Sequence, residues 1–330
     1  MNRSTVAPVV LIALLIAVAP DTHVAFGSSR TAAFAQGERS GAQPQLTFRA
    51  GVEVVTVTAT VRDRRGRIVR DLEQSDFELI DSGMPRQILD FHAGDAPVSL
   101  AVLLDISGSM AVGGNIGRAR DAVAAAMTTL RDGSDEAALF TFDSSLQEVV
   151  RFTTDLDRVR RVSLEGRPWG QTSLYDAVAR SAQIVAERTN RHRAVLVITD
   201  GVDTASRMRA SQVSAIASEI EVPVYLLTVA SPVDHPGGDL ALPQPDERAA
   251  DIATLADLAR WTGGDMRVAS LPMQTQKEVA DLVAELRHQY LITFEPGDRA
   301  GWHPLELRTR KKDLVVHARS GYTAGPSQEG

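Results

Sequence analysis

The amino-acid sequence predicts a mixed α/β protein with a doubly wound, mainly parallel sheet and a small additional β-module. Apolar runs of strand length, such as Ser99–Leu104 and Ala194–Thr199, alternate with helix-length amphipathic segments. This order is typical of a parallel sheet that carries helices on both faces. Segments with period-two alternation precede and follow this part of the chain, and such alternation indicates half-buried strands. A length of 330 residues allows about two domains.

Composition excludes several classes of protein. Hydrophobic residues make up 44% of the chain and charged residues 23%, values that exclude a fibrous or mainly disordered protein. The formal net charge of −7 gives no indication of nucleic-acid binding, which requires a basic surface. The chain contains no cysteine, which excludes thiol catalysis, disulfides, cysteine-ligated zinc and iron–sulfur clusters.

Residues 1–35 are predicted to be a signal peptide. Arg3 makes the start of the chain positive, and the apolar run Val9–Ala19 is too short for an ordinary membrane span but fits a signal-peptide hydrophobic region. Small residues place the cleavage site after residue 27 or residue 35, and an uncleaved anchor is the alternative. Residues 36–45 are predicted to be a linker. We expect a periplasmic or secreted protein with no membrane span after signal removal.

Strands are predicted on both sides of an α/β domain that spans residues 97–287. The N-terminal strands lie within residues 46–95, the C-terminal strands lie within residues 288–322, and residues 323–330 form a tail. Because two or three strands alone are marginally stable in water, we expect the two groups to join into one β-module. The predicted strands are Val52–Val61, Phe77–Ile80, Gln87–Phe91, Tyr290–Phe294, Leu305–Arg308 and Leu314–Ala318.

Polar side chains follow the buried strands where ligand sites form in doubly wound sheets. The candidate metal ligands are Asp105, Ser107, Ser109, Thr172 and Asp200. Two carboxylates and three hydroxyls suit a hard divalent cation, Mg²⁺ foremost, with Mn²⁺ or Ca²⁺ as alternatives. Because hydroxyls are weak neutral ligands, we expect such a site to recruit a further anion. Taken alone, the Asp and Ser residues are typical of turns and helix caps, Thr172 is typical of a helix N-cap, and the Asp200-Gly201 step is typical of a turn.

The run Asp105-x-Ser107-x-Ser109, together with Thr172 and the Asp200-Gly201 step, resembles the metal-ion-dependent adhesion site of von Willebrand factor type A domains. The resemblance implies that the serines and the threonine coordinate the metal directly. It also implies that the aspartates act directly or through water, and that a carboxylate of a bound protein completes the coordination. The flanking segments resemble a bacterial secreted "VWFA-related" group described from acidobacteria, on the segments Val61–Gly66, Asp76–Leu79 and Arg319–Tyr322.

Four further residues are candidates for the ligand rim. Trp169 precedes Thr172 and either lines the rim or packs under its loop. Asp203 lies near the site or caps a loop. The Pro-rich segment Ser231–Pro245, which contains Asp234 and His235, follows a predicted strand. Long loops of this kind often carry binding residues, although a segment without a binding role is the alternative.

These observations predict a binding module, not an enzyme. The expected ligand is a protein that offers an Asp or Glu carboxylate to the cation. A metal-assisted hydrolase and a structural envelope protein with a purely stabilising metal are the alternatives. The sequence contains no G-x-S-x-G elbow, HExxH helix or paired Ser–His arrangement that would favour hydrolysis.

Overall fold

The computed structural model describes residues 54–201, 203–210, 212–213, 216, 221–229 and 247–324. The predicted signal peptide and linker lie outside the described residues. The same is true of the segment Ser231–Pro245 with its rim candidates Asp234 and His235, and of part of the helix that the sequence predicts over Ala210–Glu219.

Four strands form the N-terminal part of the described chain: β1 (Val55–Asp63), β2 (Phe77–Asp81), β3 (Met84–Arg86) and β4 (Ile88–His92). Period-two alternation in β1 buries Val57, Ala59 and Val61, as expected for a strand with one face in a core. The strands β2 and β3 form a hairpin whose turn residues, Ser82 and Gly83, both have positive φ angles. Such a turn follows the right-handed twist of the strands that it joins.

The central sheet contains six strands in the order β10-β9-β8-β5-β6-β7. All pairs are parallel except β6 and β7. Every residue of β5 is buried, and successive side chains enter two different cores, Leu100 and Val102 on one face and Ala101 and Leu103 on the other. A strand that is buried on both faces explains the continuous apolar run in the sequence. The six strands are β5 (Val98–Asp105), β6 (Glu136–Phe142), β7 (Leu146–Thr153), β8 (His192–Thr199), β9 (Val224–Val229) and β10 (Met266–Ala269).

Helices cover both faces of this sheet, which confirms the predicted doubly wound arrangement. The helices are α1 (Asn115–Thr129), α2 (Leu156–Arg160), α3 (Leu174–Ala186), α4 (Glu247–Thr262) and α5 (Pro272–Arg287). Helices α1, α2 and α5 contribute to one apolar core, and α3 and α4 contribute to the other. None of the helices in the described ranges is long and apolar enough to cross a membrane.

The C-terminal strands complete two antiparallel sheets begun by the N-terminal strands, which confirms the predicted β-module. They are β11 (Tyr290–Phe294), β12 (Gly301–Thr309), β13 (Leu314–Ala318) and β14 (Gly321–Ala324). One sheet has the order β13-β1-β11-β4 and the other β14-β12-β2-β3. The two sheets share one apolar core that includes Phe77, Tyr290, Phe294 and Tyr322.

Three short elements were not predicted from the sequence: β3, α2 and β14. Segments of three to five residues are too short to show a helical or strand period, so only their tertiary partners define them. β14 continues to Ala324, two residues into the segment that the sequence predicts as a tail. The other predicted boundaries of signal peptide, linker and domains stay predictions.

Charged and polar contacts connect the β-module to the α/β domain. The buried guanidinium of Arg319 donates to the backbone carbonyl of Thr56 at 2.7 Å, and the backbone N–H of Thr56 donates to Glu221 at 2.9 Å. The buried carboxylate of Glu285, on α5, contacts both Arg62 of β1 and Arg267 of β10. Because this one buried carboxylate forms ion pairs with arginines from both parts of the fold, the first strand of the β-module is attached to the last helix of the α/β domain.

We expect a fragment of residues 46–95 to be unfolded on its own. Among the described residues, the strands that pair with β1 are β11 and β13, and the long partner of β2 is β12. The fragment therefore loses the strands that complete both sheets, and the remaining hairpin is marginal in water. Circular dichroism and thermal unfolding of the isolated fragment test this expectation. Release of a stable, folded 46–95 fragment by limited proteolysis of the whole protein would contradict it.

Candidate metal centre

The site begins at the carboxyl end of β5, the most deeply buried strand. Asp105 is the last residue of β5, and its side chain is fully buried. The parallel neighbour β8 ends at Thr199, whose hydroxyl donates to Asp105 Oδ2 at 2.6 Å. The backbone N–H of Ser107 donates to Asp105 Oδ1 at 2.8 Å. Both oxygens of the carboxylate are therefore held in place by neutral donors.

Burial makes the negative charge of Asp105 costly. Desolvation raises the pKa of Asp105 to about 6, the hydrogen bonds from Thr199 and Ser107 partly offset this shift, and the charge of Asp200 adds to it. An ionised carboxylate without a cationic partner is unfavourable in a protein interior. A cation next to this carboxylate would compensate the buried charge.

Asp200 follows β8 directly and lies close to the first carboxylate. Desolvation also raises its pKa, and a hydrogen bond from Ser109 lowers it. Its Oδ1 atom is buried and has no hydrogen-bond partner among the described residues. Buried carboxylate oxygens are normally satisfied by a donor or a metal, so this atom is available to a ligand.

The loop after β5 carries the two serines of the motif. Ser107 is buried, Ser109 is exposed, and their hydroxyl oxygens lie 3.1 Å apart. Between them, the backbone N–H of Gly108 donates to the carbonyl of Gly170 at 3.0 Å. A Cβ atom at Gly108 would lie only 3.3 Å from that carbonyl oxygen. A side chain at this position would therefore push the two loops apart.

Thr172 is placed by backbone contacts with the neighbouring loops. It is buried, its N–H donates to the hydroxyl of Thr204 at 2.9 Å, and its carbonyl accepts the N–H groups of Thr204 and Ala205 at 2.9 Å each. The N–H of Trp169 donates to the carbonyl of Ile106 at 2.9 Å. These bonds hold the segment with Thr172 against the segment with the serines.

The structure thus brings the five predicted ligands to one edge of the sheet. Hydrogen bonds connect Asp105 to Ser107, Ser107 to Ser109, and Ser109 to Asp200, and the loop contacts hold Thr172 beside them. The described ranges contain no group of three or more His, Cys, Asp or Glu that could hold a metal. The candidate centre combines two carboxylates with three hydroxyls instead. The uncompensated buried charge and the unpartnered Asp200 oxygen fit a hard cation.

The structure distinguishes the two described rim candidates. Trp169 is 83% exposed, so the expectation that it packs under its loop is wrong and its indole faces solvent. Asp203 Oδ1 accepts the N–H of Leu174 at 2.8 Å and the hydroxyl of Ser206 at 2.6 Å. Since Leu174 is the first residue of α3, Asp203 caps this helix from another part of the chain.

Sequence reasoning missed Thr199 and Thr204, which position Asp105 and Thr172. A signal was present for Thr199, because it is the polar last residue of the apolar run Ala194–Thr199. Thr204 lies 32 residues from its partner Thr172, and no local pattern connects them.

Comparison with known families agrees with this geometry. Residues 100–202 match the von Willebrand factor type A domain. The chain contains a von Willebrand factor type A domain. This match begins at Leu100 within β5, ends just after β8 and includes all five candidate ligands. Domains of this type often mediate protein interactions.

Several solved structures resemble the chain at low sequence identity. The conserved hypothetical protein BatB from Bacteroides thetaiotaomicron is 17% identical, with a TM-score of 0.44, over 57% of this chain and 98% of that chain. A von Willebrand factor type A protein from Catenulispora acidiphila is 11% identical, with a TM-score of 0.44, over 85% of this chain and 76% of that chain. The PilB minor pilin from Streptococcus sanguinis is 13% identical, with a TM-score of 0.41, over 59% of this chain and 62% of that chain. No protein of curated function matches the sequence.

We expect Asp203→Ala to lower thermal stability without removing a response to Mg²⁺. Loss of a helix cap costs about 1 kcal/mol, which corresponds to roughly 2–4 °C in the melting temperature of a domain of this size. Asp203→Asn keeps an oxygen acceptor for Leu174 and should melt nearer to the wild type. Differential scanning calorimetry with and without Mg²⁺ measures both quantities. Loss of the Mg²⁺ response in both variants would contradict a capping role and indicate a ligand role.

Proposed function

We propose that this protein captures a protein partner through a divalent cation held at the carboxyl edge of the central sheet. The proposed ligands are the five described above: Asp105, Ser107, Ser109, Thr172 and Asp200. The proposed cation is Mg²⁺, with Mn²⁺ or Ca²⁺ as alternatives. When bound, the cation supplies a Lewis-acidic position for an Asp or Glu carboxylate of the partner.

One observation carries this proposal: two adjacent carboxylates are desolvated, and neither forms an ion pair within the described part of the chain. Asp105 is fully buried, and the hydrogen bonds that it accepts from Ser107 and Thr199 come from neutral donors. Asp200 contributes a buried oxygen without a partner among the described residues. A divalent cation offsets both charges, and hard cations prefer oxygen ligands of this kind.

The surroundings of the site favour recognition of a protein. Trp169, whose indole is exposed, lies three residues before Thr172 in the same loop. Exposed aromatic side chains contribute strongly to protein–protein interfaces because they bury large apolar areas with little loss of conformational entropy. The aromatic side chain and the cation would then provide one apolar and one ionic contact for the same partner.

A binding role is favoured over metal-assisted hydrolysis. Hydrolysis requires a group that takes a proton from the attacking water. Both carboxylates at the site are assigned to the cation, and Asp203 is occupied by the first turn of α3. We also propose that the protein acts in the periplasm or after secretion, on the basis of the predicted signal peptide.

Millimolar Mg²⁺ should raise the melting temperature of the wild-type protein above its value in chelator. A ligand that binds only the folded state adds about 2.7 kcal/mol of stability at a hundredfold excess over its dissociation constant. Each 1 kcal/mol raises the melting temperature by about 2–4 °C. Asp105→Ala should melt near the wild-type value in chelator and show no Mg²⁺ response. Thermal unfolding with each cation measures these effects.

Two further variants separate the charge of Asp105 from its packing. Asp105→Asn preserves the shape of the side chain and an acceptor for Thr199, and it should also lose most of the Mg²⁺ response. Asp143→Asn changes a nearby carboxylate that caps the β6–β7 turn through the N–H of Ser145 at 3.0 Å, and it should retain the response. Equal Mg²⁺ responses of Asp105→Ala and the wild type would rule out the assigned ligands.

Capture from an envelope extract tests the binding role. The immobilised wild-type protein should retain a partner in Mg²⁺ and release it in chelator. The immobilised Asp105→Ala variant should not retain the partner in Mg²⁺. Replacing the partner's contacting Asp or Glu by the corresponding amide should abolish capture, because an amide does not supply the negative charge. A metal that stabilises the protein without any Mg²⁺-dependent capture would favour the structural alternative.

A further inference from the structure

A cavity of about 500 Å³ lies beside the candidate metal centre. Its walls come from the β6–β7 turn, the loop that carries Thr172, the first half of α3 and the segment after Asp203. The polar side chains that line it include Ser144, Ser145, Gln171, Ser173, Arg180 and Arg207.

The cavity is lined by the residues on either side of a proposed metal ligand. Gln171 and Ser173, which line it, are the two neighbours of Thr172 in the chain. Ser173 is held in place by its N–H, which donates to the carbonyl of Asp143 at 2.7 Å. Since neighbouring Cα atoms are about 3.8 Å apart, a ligand at the metal centre can reach the cavity with a short segment.

The cavity has an excess of positive charge. Arg180 and Arg207 are exposed, and neither forms an ion pair within the described part of the chain. The guanidinium of Arg180 donates a long hydrogen bond of 3.4 Å to the neutral side chain of Gln183. The acidic wall residue is Asp176, whose oxygens accept the N–H groups of Arg207 and Met208 at 3.1 and 2.9 Å.

Asp176 is therefore committed to the local backbone. It also lies in the first turn of α3, where the helix dipole favours a negative charge. The two guanidinium groups, by contrast, remain available to an external anion. Guanidinium groups bind carboxylates with charge-assisted and often bidentate hydrogen bonds. The hydroxyl groups of Ser144 and Ser145 at the same wall already donate to Asp143 Oδ1, at 3.2 and 3.5 Å, so the anion contacts are assigned to the two arginines.

We infer that this cavity is a second anion subsite, which takes a second carboxylate of the same partner segment. This inference rests on the proposed function, in which the first carboxylate binds the cation. In an extended peptide, side chains two residues apart face the same side and are separated by roughly 7 Å. The partner feature that fits is an acidic-x-acidic segment, in which one acid binds the cation and the other binds Arg180 and Arg207.

Two peptides of equal length provide the probes: Gly-Gly-Glu-Gly-Glu-Gly-Gly and the same peptide with Gln in place of the second Glu. Titration of the ¹⁵N-labelled protein followed by NMR detects weak affinities and locates the contact. In Mg²⁺, both peptides should shift the amide signals of residues 171–173, and the diacid should also shift that of Arg207. We expect the peptide with two Glu residues (the diacid) to bind about tenfold more tightly than the peptide with one (the monoacid), because it gains one charge-assisted contact.

The double variant Arg180→Gln/Arg207→Gln should bind both peptides with the affinity of the wild type for the monoacid. It should keep the wild-type Mg²⁺ response in thermal unfolding, which shows that the fold and the metal centre are intact. Arg158→Gln removes an equivalent positive charge from α2, outside the cavity, and should retain the preference for the diacid.

The results separate the two proposals. Mg²⁺-dependent binding of the monoacid without any preference for the diacid overturns the second subsite and leaves the proposed function standing. Retention of the preference in the double arginine variant also overturns the subsite. If both peptides bind equally well in Mg²⁺ and in chelator, or equally well to the wild type and to Asp105→Ala, the proposed function is overturned. The second subsite, which rests on it, is then overturned as well.

Discussion

The buried carboxylate of Asp105 is the constraint around which the edge of the central sheet is organised. A charge at the end of a strand that is buried on both faces loses its hydration, and the described donors that contact it are neutral. Thr199 reaches it because β8 runs parallel to β5 and ends at the same level. The desolvated charge makes this edge suited to a cation, and the loops that hold Ser107 and Thr172 depend on the same strand ends.

The β-module depends on chain segments that are far apart in sequence. The first strand of the described chain, β1, lies between β13 and β11, so strands from the start and the end of the described chain stabilise each other. Arg319 and Glu285 then connect this module to the α/β domain through hydrogen bonds and ion pairs. The candidate metal centre is built by loops at the carboxyl edge of the central sheet, while this junction uses Glu221, ahead of β9, and the body of α5. The candidate site and the junction therefore involve different parts of the same scaffold.

The acidic side chains around the site have different roles, which the structure separates. Asp105 and Asp200 are candidate metal ligands. Asp203, in contrast, accepts the N–H of Leu174 at the start of α3, and Asp176 accepts the N–H groups of Arg207 and Met208. Since these last two carboxylates are engaged locally, they neutralise the neighbouring arginines only in part. The edge of the sheet thus combines a strongly negative centre with a cationic cavity beside it, an arrangement suited to a ligand with more than one acidic group.

The sequence by itself determined the fold class, because buried parallel strands and amphipathic helices have different periods, and these periods are visible locally. It also indicated the candidate ligands, because Asp105, Ser107 and Asp200 lie at or shortly after the ends of apolar runs of strand length. Only the tertiary structure decided the surroundings of these residues. The hydroxyl that holds Asp105 comes from a strand 94 residues away, and the cap of α3 comes from Asp203, 29 residues beyond the helix start. Such contacts depend on strand order and loop packing, which no local pattern encodes.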